Sequence, residues 1–269
     1  MPKVEPALLE GVLARALGGE RGPLAVFLKA NSNLPGPRGN LELAWQFADA
    51  VAGLAGGEAA GPAWQTVGAL AGVGPEEAPT GDPGEFLAFC GTLGTAGFAA
   101  DPARRPAVWE AMRRAAEDER WRLREAAAQA IQRALPADPP GALAVLGEWA
   151  AVGSWLLCRA VAAGLADPPL LRDENVAAAA LRLHEVILAR FLAAGDRRHE
   201  AFKVLRQGLG YTLSVVVAAA PEPGFALLRR LAAVPDRDLA WVLRSNLGKG
   251  RLARAYPQET EGVGALLAG

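Results

Sequence analysis

Helix breakers recur along this chain so regularly that no apolar segment runs far, and nearly every segment between them has helical spacing. Asp followed by Pro stands at 82–83, 101–102 and 138–139, where the carboxylate can cap free N–H groups and Pro suits the first helical position. In "DPGEFLAF", Glu85 follows Asp82 by three residues, the spacing of a capping box. Strand signals are nearly absent, because β-branched residues rarely alternate with polar ones; the Val run "SVVVAAAP" at 214–221 ends a longer helical pattern. The pattern predicts helices near 5–17, 22–31, 40–55, 62–73, 82–99, 103–118, 120–134, 139–151, 153–165, 174–194, 197–219, 223–233 and 236–254. That is too many short helices for one bundle, which leaves a stack of helical pairs.

Weak internal similarity supports such a stack. The segments "ERWRLREAAAQAI" at 119–131, "GSWLLCRAVAAGL" at 153–165, "RHEAFKVLRQGLG" at 198–210 and "LAWVLRSNLGKG" at 239–250 each set an aromatic within a turn of a basic residue. The basic markers Arg124, Arg159, Lys203 and Arg244 are spaced by 35, 44 and 41 residues. Segments such as "DPPGALAVLGEWAAVGSWLLCRAVAAGL" resemble HEAT-repeat proteins: a capped first helix, a short turn, then a second helix opening with an aromatic and a basic residue. The resemblance covers residues 100–256, and 1–99 only by helix content. It implies an all-α, right-handed superhelix (solenoid) of HEAT-like hairpins, one continuous domain over 1–269 with an irregular N-terminal part at 1–99.

In such a solenoid the second helices line the concave side, so Arg124, Arg159, Lys203 and Arg244 would form a basic row there, suited to an acidic partner segment. In HEAT repeats such an Arg also often bonds an Asp in a neighbouring turn, which would make each structural. The formal net charge of −1 gives no global pull onto nucleic acid or an anionic membrane, but the charge is uneven. Residues 1–100 balance to −5 and residues 101–269 to +4. Within 229–254, Arg229, Arg230, Arg237, Arg244, Lys249, Arg251 and Arg254 face only Asp236 and Asp238, a basic C-terminal patch. Cations near helix C-termini, together with a bias of Arg over Lys of 24 to 4, account for that patch equally well. The function these features imply is a non-enzymatic scaffold for a protein or acidic peptide.

The stretch "NSNLPGPRGNLELAWQFADAV" at 31–51 is the most distinctive in the chain. Its helix is apolar on both faces, which predicts burial between neighbours. Pro35-Gly36 fits the centre of a type II turn, and Asn40 is a good N-cap. Arg38, Gly39 and Asn40 form a candidate anion or partner loop, with the free N–H groups of the helix start as donors. Turn chemistry explains every residue of the loop except Arg38.

The chain shows no catalytic constellation. Two separate His and two separate Cys supply no standard metal site, and no cofactor is expected. Cys90 and Cys158 read as buried thiols, and His184 and His199 as partly exposed helix residues. "SNLGKGRL" at 245–252 lacks the spacing of a phosphate loop. The longest uncharged apolar stretch, residues 86–100, falls short of the roughly 20 residues of a bilayer crossing. The N-terminus has no signal-peptide core, so a cytoplasmic location is expected. With seven Trp residues, "VWEAMRRAAEDERWRLREAAAQAIQRAL" is similar in texture to bacterial HEAT-like DNA alkylation repair glycosylases. That resemblance implies nucleic-acid binding by Trp, Asp and Arg side chains, with a carboxylate between paired Trp residues. The acidic balance of the chain opposes duplex binding.

Overall fold

The structure, a computed structural model, describes residues 5–267, which divide into two compact units between Asp138 and Pro139. The division falls inside the stretch where HEAT-like repeats are expected. Fifteen α-helices and three short 3-10 turns make up the described residues, with no strand among them. Within each unit, helices pack mainly on those one or two places along the chain, an all-α, solenoid-like arrangement of helical hairpins.

Unit 1 holds α1 (Pro6–Leu17), α2 (Arg21–Ala30), α3 (Leu41–Leu54), α4 (Ala60–Ala71), α5 (Glu85–Thr95), α6 (Arg105–Ala116) and α7 (Trp121–Ala134). Its centre is α5, in which every residue is buried. Helices α3, α4 and α7 surround α5. A Cβ on Gly91 would lie 2.2 Å from the Ala71 amide nitrogen and 2.7 Å from the Leu70 carbonyl carbon, so the absence of a side chain there lets α4 and α5 meet backbone to backbone.

The turn between α6 and α7 is tied to the chain before α5 by Arg120. This arginine is buried, chelates Asp118 through Nε (2.9 Å) and Nη2 (2.7 Å), and donates to the carbonyls of Ala78 and Val73 at 3.0 Å each. A desolvated guanidinium needs this full set of acceptors.

Unit 2 holds α8 (Pro139–Val152), α9 (Trp155–Leu165), α10 (Glu174–Ala193), α11 (Glu200–Ala219), α12 (Pro221–Ala232), α13 (Arg237–Leu247), α14 (Gly250–Ala253) and α15 (Pro257–Leu266). Helix α11 packs against both α9 and α13, forming one layer, while α10 packs on α8. Caps set the starts: Ser154 accepts from Leu157 N–H, Asp173 from Asn175 and Val176, and Asp236 from Leu239.

Helix α15 is not anticipated, because Gly262 and Gly264 interrupt its apolar spacing. His184 is a correction to the expectation of partial exposure: it is fully buried, with Nδ1 2.8 Å from the Ala180 carbonyl and Nε2 3.1 Å from Thr212 Oγ1. Burial holds its pKa down at about 4. His199 is exposed and accepts from the Ala201 N–H.

Candidate functional site

The loop between α2 and α3 is knitted from its own polar groups. Asn40 Oδ1 caps α3 by accepting from Leu43 N–H, its Nδ2 donates to the Asn31 carbonyl at 2.9 Å, and its backbone N–H donates to the Ser32 carbonyl at 2.9 Å. The cap expected at Asn40 is present. The turn lies one residue earlier than expected: Gly36 N–H donates to the Asn33 carbonyl at 2.8 Å, so Leu34 and Pro35, joined by a cis peptide bond, are central. Gly36 is needed for space, not for a positive φ, since a Cβ there would lie 2.4 Å from the Asn33 oxygen.

Tertiary contacts add what turn chemistry omits. Arg122, near the start of α7, donates from Nη2 to the Gly36 carbonyl at 2.9 Å and from Nη1 to Glu85 Oε2 at 3.2 Å. Glu85 opens α5, is fully buried, and accepts from Gly81 N–H through the same Oε2 at 2.8 Å. Its spacing from Asp82 predicts a capping box; instead it reaches one residue further back, while Asp82 Oδ1 accepts from Gly84 N–H at 2.6 Å. The other atoms of the pair are unsatisfied: neither Glu85 Oε1 nor Arg122 Nε has a hydrogen-bond partner, although both are buried. Such orphans are few in folded proteins, and each calls for an explanation.

These residues wall a cavity of about 420 Å³. The α2–α3 loop contributes Leu34, Pro37, Arg38 and Gly39; α5 contributes Glu85, Phe86 and Phe89; α7 contributes Trp121, Arg122, Glu125 and Gln129. Arg38 stands exposed at the edge, and Gly39 sits against the Phe86 ring. Trp121 is 43% exposed, with the Arg122 guanidinium 4.4 Å from its ring centroid. One turn along α7 comes Glu125 and one turn further Gln129, whose Oε1 accepts from the indole N–H of Trp45, itself 45% exposed. The structure thus gathers the Arg38 loop with Glu85, Trp121, Arg122, Glu125 and Gln129, none of which the sequence reading places in a site. A lone acid in an otherwise uncharged helix, and a lone arginine on the stripe of Ala126 and Ala130, are the signals that could have found the pair.

The expected basic row divides between the units. In unit 1, Arg124 donates through Nη1 to the carbonyls of Asp118 and Glu119 at 2.9 Å each, closing the α6–α7 turn. In unit 2, Arg159, Lys203 and Arg244 stand on α9, α11 and α13, the helices of one layer. Arg159 is half-buried, with its Cγ beside Gly208 of α11; Lys203 is exposed beside Glu200; and Arg244 donates to the Leu267 carbonyl at 2.7 Å.

In the C-terminal patch, Arg229 is exposed and Arg230 pairs with Glu185 at 2.7 Å. Arg254 is exposed, folded back near Gly250. Arg251 and Lys249 lie 4.8 and 5.9 Å from the ring centroid of Tyr211, which is 48% exposed. Trp241, 39% exposed, carries Arg206 at 4.6 Å. Asp238 binds Arg206 and Arg197; burial works against its ionisation, but the hydrogen bonds from these arginines prevail and lower its pKa.

Cys90 and Cys158 are buried free thiols, as expected, and desolvation raises both pKa values, with Arg190 opposing the rise at Cys158. Among the described residues no group of three or more His, Cys, Asp or Glu could hold a metal ion, and no helix is long and apolar enough to cross a membrane. In comparisons with known proteins, no family model matches the chain and no curated protein sequence matches it.

Proposed function

We propose that the protein is a non-enzymatic interaction scaffold whose α9–α11–α13 layer holds an acidic segment of a protein partner. The observation that carries this reading is the pairing of an exposed aromatic with two cations, Tyr211 with Arg251 and Lys249. A ring covered by a cation offers apolar area and positive charge together, the combination that anchors an acidic, aromatic-bearing peptide. Lys203 and Arg244 extend the charge along the same helices. The test is titration of a fluorescent Glu- and Asp-rich peptide containing one Tyr. Binding should weaken as salt rises and fall at least about fivefold in Lys249→Ala/Arg251→Ala. Equal binding by wild type and the double variant would sink the reading.

A second reading, a DNA-binding protein of the alkylation-repair glycosylase type, is favoured by one arrangement in unit 1. Along α7, Glu125 falls between Trp121 and Gln129, which holds Trp45. That sets a carboxylate among exposed indoles, although the acid is Glu where the resemblance implies Asp. Micromolar duplex binding with a steep salt slope, together with excision of alkylated bases lost in Glu125→Gln, would replace the scaffold reading by this one.

A further inference from the structure

Around α11 and α13 several cations meet a carboxylate: Arg197 pairs with Asp236 and Asp238, Arg206 with Asp238, and Lys203 with Glu200. Lys249, Arg251 and Arg254, clustered at 249–254, differ. Among the described residues none of them forms an ion pair, although Glu259 and Glu261 follow close behind in α15. Two of the three are nonetheless gathered at one side chain of α11. Arg251 Nη2 donates to Tyr211 Oη at 3.3 Å with its guanidinium 4.8 Å from the ring centroid, and Lys249 Nζ lies 5.9 Å from the same centroid. Tyr211 is 48% exposed, so the group faces solvent. Like charges at one ring repel, and an anion that meets both relieves that cost as well as adding its own attraction.

The hydrogen-bonding groups narrow the anion. The ammonium and the guanidinium are donors only, and Tyr211, already accepting from Arg251, keeps its O–H hydrogen to donate. Donors with surplus positive charge suit a group that only accepts. A phosphate monoester brings a charge of about −1.5 to −2 and three acceptor oxygens, where a carboxylate brings a single charge. The diesters of a nucleic acid also carry a single charge each, and as a polyanion it meets the whole chain, whose net charge is −1 with −5 over residues 1–100. A lone phosphate on a peptide feels mainly the charges within a Debye length, about 8 Å at physiological salt.

We propose that Lys249, Arg251 and Tyr211 form a phosphate-binding site that takes a phosphoserine or phosphothreonine of the partner, so that phosphorylation of the partner controls its capture. Resting on the scaffold reading of unit 2, this site adds to it the modification that is recognised. Arg251 and the Tyr211 O–H donate to the phosphate oxygens, Lys249 supplies the second charge, and Arg254, exposed, meets acidic residues flanking the phosphate.

The test uses the full chain and three fluorescent peptides of one acidic, Tyr-containing sequence that differ at a single position, which is Ser, Glu or phosphoserine. Anisotropy titration should give the phosphoserine peptide at least about tenfold tighter than Ser and about threefold tighter than Glu, since it adds charge and charge-assisted hydrogen bonds. Arg251→Gln should bring phosphoserine to within about twofold of Glu, whereas Arg229→Gln, which removes an equal charge from an exposed position of α12, leaves the preference intact. Equal affinity for the phosphoserine and Glu peptides, or equal losses in the two variants, would overturn the proposal. So would tighter binding of a duplex of about 12 base pairs than of the phosphoserine peptide, which would point to nucleic acid. If the Glu peptide binds in a salt-dependent way and phosphoserine gains nothing, the phosphate site fails and the scaffold reading stands; if none of the three binds at about 1 mM, both fail.

Discussion

The Glu85–Arg122 pair joins α5 to α7 with both groups buried, and a double-mutant cycle measures how far each charge depends on the other. Arg122→Met strips the fully buried Glu85 of its charge partner and leaves it one donor, Gly81 N–H, while the Gly36 carbonyl loses its Nη2–H donor. Breaking a buried pair from one side costs about 3–5 kcal/mol, because a desolvated charge is left behind. Glu85→Leu does the same from the other side, leaving the guanidinium the Gly36 carbonyl and the Trp121 ring but no counter-charge from α5. Added together, the two would remove about 6–10 kcal/mol, comparable to the whole stability of a domain. The double variant Glu85→Leu/Arg122→Met strands no charge. What remains unsatisfied is one N–H at Gly81 and one carbonyl at Gly36, each about 1 kcal/mol, partly offset by the new apolar contact. We expect the double variant to lie within about 2 kcal/mol of wild type, with coupling of at least about 3 kcal/mol. Urea denaturation measures the cycle, and hydrogen exchange of the α5 amides reads unit 1 by itself. Single effects that add to within about 0.5 kcal/mol would refute the reasoning, since independent sites behave that way.

Three further outcomes follow from individual contacts. Gly91→Ala should cost about 3 kcal/mol or more, since its Cβ meets helix backbone at 2.2 Å, whereas Gly68→Ala on the facing helix α4 meets nothing within 4 Å and should stabilise by about 0.5–1 kcal/mol; thermal unfolding compares them. Asn40→Ala should cost about 1 kcal/mol through its cap, and Arg38→Ala should stay within about 0.5 kcal/mol, again by denaturation. His184 has a folded pKa of about 4 against an ordinary 6.5, so as pH falls the unfolded chain takes up its proton first. Its contribution is complete above pH 6.5 and about 3 kcal/mol is lost by pH 4; urea unfolding at pH 7 and 4.5 should show this slope in wild type and not in His184→Gln.

What the sequence makes legible here is local, and what it hides is pairwise. Helix starts and stops depend on residues a few positions apart, so the cap at Asn40 can be read where it acts, whereas Asp82 and Asp101 accept from N–H groups of the turns before α5 and α6 and cap neither helix. The exceptions are local conflicts: Gly262 and Gly264 blur α15, and two prolines around Gly36 fit more than one turn. His184 falls on the buried side of α10, where a polar partner, Thr212, is supplied from α11. The site is hidden for the same reason, since Glu85 and Arg122 are 37 residues apart and meet only because α5 and α7 pack together.

Each nonetheless leaves a trace of its own. A helix as apolar as 85–95 has no use for a carboxylate at its first turn beyond capping, and a capping acid would not need full burial. Arg122 interrupts the Ala stripe of α7 at a position that an alanine or leucine would fill at lower cost. Two opposite charges, each placed against the local pattern, are therefore a sequence-level pointer to one another. Since burial of the pair leaves Glu85 Oε1 and Arg122 Nε unsatisfied, neither charge is explained by the fold alone. The mutant cycle measures what each charge contributes through the other.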